Sequence, residues 1–385
     1  MSIIKYFQIL VIFLIPWSCS NNNLEHSMNS NENANYFLKT KINDSDSPGI
    51  QYMILNADST IFEFNGGLSD LEKNILLSPL TTFNAFSVTK TFTALAILQL
   101  EERGKLDIED FVQPYLDFLP YKTNFTIRQL LNHTSGLPNP MPLKWVHLLE
   151  EHNSFNYEEY VKNVLEENNE LDNNPGVNYS YSNIGYLLLG KIIEKVSGED
   201  YRTYIKNNII NKLPLTGDAY LDFDIPDTLN HAHGYIKKWS FLNFGLNFIF
   251  DKSKYIGDTY NGWNQFKYFY MNGYSFGGLI GNARGFGKYL QALLKDNQLI
   301  TNSSKSKLFE TQKTNNGKII DRCLSWFRGK LGEDIYYSHS GGGGGYYCEI
   351  RIYPKRKIAS VVMFNRTGVS EEKFLDNVDK FFLLN

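Results

Sequence analysis

Ser87, Val88, Thr89 and Lys90 place a hydroxyl and an amine three residues apart. On a helix, residues i and i+3 share a face, so the lysine nitrogen can reach the serine oxygen. A serine hydroxyl is a weak nucleophile until a base takes its proton. A lysine can be that base once burial or a neighbouring positive group lowers its pKa. The amino end of a helix adds free N–H groups and partial positive charge, which stabilise a developing oxyanion. The same spacing recurs at Ser2/Lys5, Ser304/Lys307 and Ser370/Lys373. The first lies in the amino-terminal leader, the second in a charged, polar stretch, and the third reads as the cap of a terminal helix. Ser87 alone opens an apolar helical run, Val88 to Glu102, with Phe92, Leu95, Ala96 and Leu98 facing inward and Gly104 as its stop. By itself the spacing also fits a plainer reading, with Ser87 as a helix cap and Lys90 as a solvated charge.

Two further stretches shift that balance. Tyr181-Ser182-Asn183 lies in the run 175–190 (PGVNYSYSNIGYLLLG), just before an apolar helix. A phenol beside a lysine is expected to have a lowered pKa and to shuttle a proton, and an amide two residues on can hold a substrate carbonyl. His339-Ser340-Gly341 ends a strand and runs into Gly342 to Gly345. Glycines there let a substrate lie close to the strand and leave backbone N–H groups open. No Lys-Ser/Thr follows the glycines, so they do not form a phosphate loop.

Ser-x-x-Lys, Tyr-x-Asn and His-x-Gly, in this order, resemble the penicillin-recognising serine hydrolases, nearest to class C β-lactamases, DD-peptidases and related esterases. Supporting stretches are 103–110 (RGKLDIED), 126–138 (TIRQLLNHTSGLP), 185–198 (GYLLLGKIIEKVSG), 233–235 (HGY) and 277–284 (GGLIGNAR). The resemblance spans about residues 50–370. It implies that Ser87 is acylated, that Lys90 and Tyr181 share the proton transfers, and that Asn183, His339 and Gly341 bind substrate. It also implies an oxyanion hole made by the backbone N–H groups of Ser87 and Gly342. His339 stands where many lactamases and DD-peptidases of this family carry Lys. A mostly neutral imidazole offers no fixed charge to a substrate carboxylate, which weakens the β-lactamase reading and favours an esterase or peptidase. Gly281, Asn282 and Gly285 replace the Ser, Thr and Asp common in the family and are expected to loosen that turn.

The elements that must position these groups are an α+β arrangement. Residues 50–55 and 60–64 read as a β-hairpin ending at Gly66-Gly67, and residues 324–327, 334–338, 346–353 and 358–364 as an antiparallel meander. Strands at both chain ends, with a mainly helical insert at about 105–300, predict one antiparallel sheet built by the two termini with helices packed on it. A last helix, about 371–383, would lie against it. Residues 236–274 crowd thirteen aromatic side chains without clean periodicity, which reads either as a long, partly buried loop or as a wall over a site.

The chain has 385 residues, with 38 Lys and Arg against 41 Asp and Glu, which gives a formal charge of −3 and no basic footprint for nucleic acid. Hydrophobic residues at 42% argue against global disorder, and three cysteines exclude a disulfide scaffold and a Cys₄ zinc module. Residues 1–18 read as a signal peptide: Lys5, a short apolar run from Ile9 to Ile15, then Ser18. Cys19 follows, and the pattern resembles a bacterial lipoprotein signal, with Cys19 lipidated and the protein exported to the cell envelope. Pro16 and Trp17 depart from that pattern. Residues 19–46 read as a flexible tether and 47–385 as the hydrolase domain.

His133 reads as a structural, hydrogen-bonding residue. His231 and His233 share a strand face but lack a third ligand, so no metal and no cofactor are expected. Cys323 and Cys348 are expected as free, buried thiols, because strands two apart in a sheet lie beyond disulfide reach. The function expected is a serine hydrolase working through an acyl-enzyme on a small ester, amide or peptide. The alternatives are a β-lactamase or DD-carboxypeptidase and a non-catalytic envelope binding protein. The oligomeric state is left open.

Overall fold

The computed structural model describes residues 29–140, 145–246, 251–368 and 373–384. The signal peptide, Cys19 and Ser370 lie outside the described residues.

The alternating strands at the two chain ends meet in one seven-stranded sheet. Its order is Phe327–Leu331, Asp334–Gly343, Tyr346–Tyr353, Ile358–Phe364, Gly49–Asn56, Thr60–Asp70, Ile75–Leu76. Every pairing is antiparallel. The closure that unites the termini runs from Ile50 opposite Phe364 to Asn56 opposite Ile358. The strand Tyr346–Tyr353 is buried along its whole length, because both faces of the sheet are covered. One face carries the main core, with the helices Thr89–Glu102, Asn183–Ser197 and Ala283–Leu294. The other carries a smaller core made with the helices Ser30–Asn43 and Asp376–Leu383.

Of the flexible tether expected over 19–46, the described part from residue 29 onward is corrected by that last core. Ser30–Asn43 is a helix opened by a reciprocal capping box between Asn29 and Glu32. Ala34 and Leu38 are fully buried, and the Phe37 ring lies 6.0 Å from Phe374 and 6.2 Å from Phe381. The apolar stripe at 34, 37, 38 and 42 has helical spacing, but the polar Asn35, Lys39, Thr40 and Lys41 between its members hide it in the composition. The terminal helix is shorter than expected, and it is tied down by buried charge. Arg351 has no exposed surface and meets Glu349 at 2.7 Å and Asp376. Asp379 accepts hydrogen bonds from Tyr52, Tyr353 and Ser360. Burial pushes the Glu349 carboxyl up to about 7, with the Arg351 guanidinium opposing.

Three other expectations change. The strand placed at 324–327 begins at Phe327, because Ser325 bends the chain with φ +72°. The strand placed at 334–338 runs on to Gly343. The aromatic segment is not one loop: Tyr235–Lys237, Trp263–Phe266 and Ile256–Tyr260 form a small sheet, and the short helix Phe241–Leu246 follows the first of these strands in the chain. Cys323 and Cys348 are free and buried, as expected. Cys323, however, sits in the loop before the edge strand, not on a strand.

Candidate active site

Ser87 sits in a 3-10 turn, Phe86–Val88, that leads directly into the helix Thr89–Glu102. Phe86 holds a left-handed backbone, φ +48°, a strained state for a bulky residue that turns the next side chain out of the element. Neither the turn nor the helix is capped by a side chain, so the plainer reading of Ser87 as a cap fails. Its Oγ lies 3.0 Å from Lys90 Nζ and 2.8 Å from the Tyr181 hydroxyl. The three groups singled out from distant parts of the sequence therefore converge on one oxygen.

Lys90 has no exposed surface. Its Nζ donates to the Phe276 carbonyl at 2.8 Å, and the rings of Tyr181, Tyr186 and Phe276 lie 5.0–5.6 Å from it. Burial holds its pKa well below the ordinary lysine range. The lowered Tyr181 pKa expected from a neighbouring ammonium is not found: burial raises it, with the hydrogen bond to Ser87 opposing. The reason is shared: desolvation penalises the charged form of each group, the phenolate as well as the ammonium.

Tyr181 is held from below. Ser182 caps the helix Asn183–Ser197 by accepting from the Gly185 N–H, and its own N–H donates to His133 Nδ1 at 3.2 Å. The His133 ring lies 4.3 Å from the Tyr181 ring. Burial, then Lys90, His339 and Arg322, keep this imidazole neutral. His133 is thus structural, as read, but its place beneath Tyr181 was visible only in three dimensions. Asn183 opens the helix and lines the cavity beside Ser87; its Oδ1 is buried and has no hydrogen-bond partner among the described residues.

On the other side lies the strand Asp334–Gly343. A Cβ at Gly341 would stand 2.4 Å from the Ala85 carbonyl oxygen and 2.5 Å from the Ser87 nitrogen. Only glycine lets the strand press on the nucleophile turn this closely. Ser87 and Gly342 accordingly border the same cavity. His339 has no exposed surface and does not line that cavity. Its Nδ1 lies 2.6 Å from the Ser325 carbonyl, and its ring stacks 4.8 Å from Phe327. Burial, with Lys90 adding, pushes its pKa down to about 3.

The cavity has a volume of about 260 Å³ and is walled by Phe86, Val146, Leu242, Leu246, Phe266, Phe269, Met271 and Phe276, with Tyr255 and Thr367 also lining it. No Asp, Glu, Lys, Arg or His lines it among the described residues. Of the alternatives for the aromatic segment, the wall is therefore what the geometry supports. Val146 and Met271 reach it by strand pairing, which nothing local in the sequence signals.

The profile of the Beta-lactamase family matches residues 32–382. The chain belongs to the Beta-lactamase family. A penicillin-binding protein of Bacillus subtilis (strain 168) is 30% identical over 315 residues, covering 81% of this chain and 66% of that protein. Protein flp of Staphylococcus aureus (strain COL) is 31% identical over 178 residues, covering 45% of this chain and 35% of that one. The chain thus spans less than two thirds of either relative. An octameric penicillin-binding protein homologue from Pyrococcus abyssi superposes with a TM-score of 0.72 at 24% identity, over 91% of this chain and 76% of that one. D-amino acid amidase from Ochrobactrum anthropi SV3 superposes with a TM-score of 0.74 at 18% identity, over 92% and 99%. At these identities the structures share the fold.

The turn at 281–285, expected to be loose for a member of this family, is tied instead. Asn282 is fully buried, caps the helix Ala283–Leu294, and donates to the Pro79 and Asp218 carbonyls. Arg284 pairs with Glu63 and Asp218. Gly285 is required, since a Cβ there would lie 2.1 Å from the Tyr220 carbonyl oxygen. His231 and His233 also have structural partners: His231 meets Thr82 Oγ1 at 2.9 Å, and His233 lies 3.8 Å from Asp70.

Proposed function

We propose that this chain is a serine hydrolase acting through an acyl-enzyme on a small ester, amide or peptide whose acyl group is uncharged and apolar. The observation that carries this reading is the Ser87 oxygen bracketed by Lys90 Nζ at 3.0 Å and the Tyr181 hydroxyl at 2.8 Å. The neutral Lys90 amine takes the Ser87 proton as Oγ bonds to the substrate carbonyl carbon. The oxyanion formed is held by the Ser87 and Gly342 N–H groups; removing one such donor costs about 3–4 kcal/mol of transition-state stabilisation. Tyr181, kept neutral by burial, gives its proton to the leaving oxygen or nitrogen and regains one from the Lys90 ammonium. Water then attacks the acyl-enzyme by the reverse sequence, with Lys90 and Tyr181 relaying its proton and Ser87 regaining its own. The Asn183 side chain orients the substrate amide, and Gly341 sets the approach of the strand.

The cavity wall supports the choice of acyl group. It offers apolar area and no counter-ion, and His339 is neutral and buried. A substrate carboxylate would be desolvated there without compensation. This disfavours efficient turnover of penicillins or of peptides ending in D-Ala-D-Ala. The penicillin-binding relative keeps that second reading open, and the complete Ser87, Lys90 and Tyr181 set disfavours a non-catalytic binding protein. For location we hold to the reading of residues 1–19: export to the envelope with a lipid anchor at Cys19. No described helix is long and apolar enough to cross a membrane.

A fluorophosphonate probe is expected to label Ser87 and not the Ser87→Ala variant. Turnover by that variant equal to the parent would sink the mechanism. Nitrocefin or a D-Ala-D-Ala peptide turned over faster than a short aryl ester would move the assignment to the second reading.

A further inference from the structure

The short helix Phe241–Leu246 has two apolar faces. Leu242 and Leu246, at i and i+4, line the cavity beside Ser87. Phe241 and Phe244, at i and i+3, face outward with Trp239. Trp239 is 89% exposed and Phe241 98%, values that set them apart from the ordinary scatter of surface hydrophobics. The helix is not loosely attached. Asn243 is buried, donates from its backbone N–H to the Ser240 hydroxyl oxygen, and donates from Nδ2 to the Lys238 carbonyl and to Asn264. The aromatic side chains are thus held outward by a fixed base.

The groove that they line is flanked by positive charge. Lys238 and Lys252 line it as well, and neither meets a carboxylate within 4.0 Å among the described residues. The Lys252 ammonium donates to the Asn243 carbonyl, and Lys238 lies 5.9 Å from the Trp239 ring. Their neighbours Lys237 and Lys254 are balanced by Asp46 and Glu151. Indole and phenyl side chains beside unpaired lysines form the composition that seats at a headgroup boundary, with rings among the acyl chains and ammoniums on the phosphates.

We propose that the face formed by Trp239, Phe241 and Phe244, with Lys238 and Lys252, docks the protein on an anionic lipid surface. The docking rests on this patch and not on the chemistry of Ser87. Its consequence for substrate choice does rest on the hydrolase reading: an amphiphile leaving the surface meets apolar side chains of one helix from the bilayer to the nucleophile.

The test uses the chain from Ser20 onward, which keeps every described residue and lacks Cys19. It is sedimented with phosphatidylcholine vesicles, with and without phosphatidylglycerol. Binding is expected to the anionic vesicles and to weaken with salt. Trp239→Ser/Phe241→Ser is expected to lose it by about tenfold or more, and Lys238→Glu/Lys252→Glu by a similar factor. Melting temperatures report folding, and the single variant Phe241→Ser, at an almost fully exposed position, serves if the double variant melts low. Equal vesicle binding by parent and aromatic variants overturns the proposal. So does absence of vesicle binding together with self-association in light scattering that the aromatic variant abolishes, which would make the face a contact between copies. Fluorophosphonate labelling of Ser87 is read separately, so failure of the hydrolase reading and failure of the docking are distinguishable.

Discussion

Lys90 concentrates the chemistry of the site in one conflict. Its amine has no exposed surface and no carboxylate partner among the described residues, so desolvation makes the charged form costly. A base must be unprotonated to act, and an ordinary lysine, at about 10.4, is almost wholly protonated near neutrality. Because burial lowers the Lys90 pKa, the active amine persists to lower pH, and activity falls as pH drops through that lowered value. The acid limb of kcat/KM on an aryl ester is expected well below the lysine range, and Lys90→Gln should abolish it while lowering kcat by about 10²–10⁴. A limb near 10, or one that survives the substitution, would place the base elsewhere. The pairing of Ser87 with Lys90 was legible because helical spacing is local. The raised Tyr181 pKa was not, because it depends on a low-dielectric setting assembled from Tyr186, Phe276 and His133.

At the scale of elements, the site is a contact between a strand and a turn. Gly341 sits where a single methyl group would strike the backbone of residues 85 and 87. Gly341→Ala must therefore push the strand Asp334–Gly343 off the nucleophile turn or fail to pair. A displacement of about 1 Å is enough to cost on the order of 10² in rate. The second-order rate of Ser87 labelling by a fluorophosphonate should fall by that order, with a lowered melting temperature; an unchanged rate would show that the strand does not set the site. The hairpin and meander were readable because alternation has a period of two. The start of the edge strand was misread because Ser325 adopts a backbone that its type does not announce. The wall segment was unreadable because its short strands gain their stability from each other, not from local preference.

For the whole molecule, the decisive event is the meeting of the two chain ends. The Gly49–Asn56 and Ile358–Phe364 strands pair along their full length, and the helices Ser30–Asn43 and Asp376–Leu383 cover the face so made. Burying a leucine side chain contributes about 1.5–3 kcal/mol, and Leu38 is one of several apolar groups in that layer. A chain starting at Ser47 is expected to melt lower by about 5 °C or more than one starting at Ser20. Equal melting temperatures would return residues 30–43 to the role of a tether. Composition alone misassigned that segment, since polar residues, Asn foremost, dominate it while four spaced apolar residues decide its fate. Whatever depends on neighbours along the chain could be read from the residues: the nucleophile spacing, the strand periods, the glycines after His339 and the family pattern they form. Whatever depends on distance through space, namely which groups lose water, came from the folded arrangement. Desolvation lowers the Lys90 pKa and keeps Tyr181 a neutral phenol and His339 an uncharged core residue, whereas Trp239 and Phe241 stay in the solvent that most of their kind avoid.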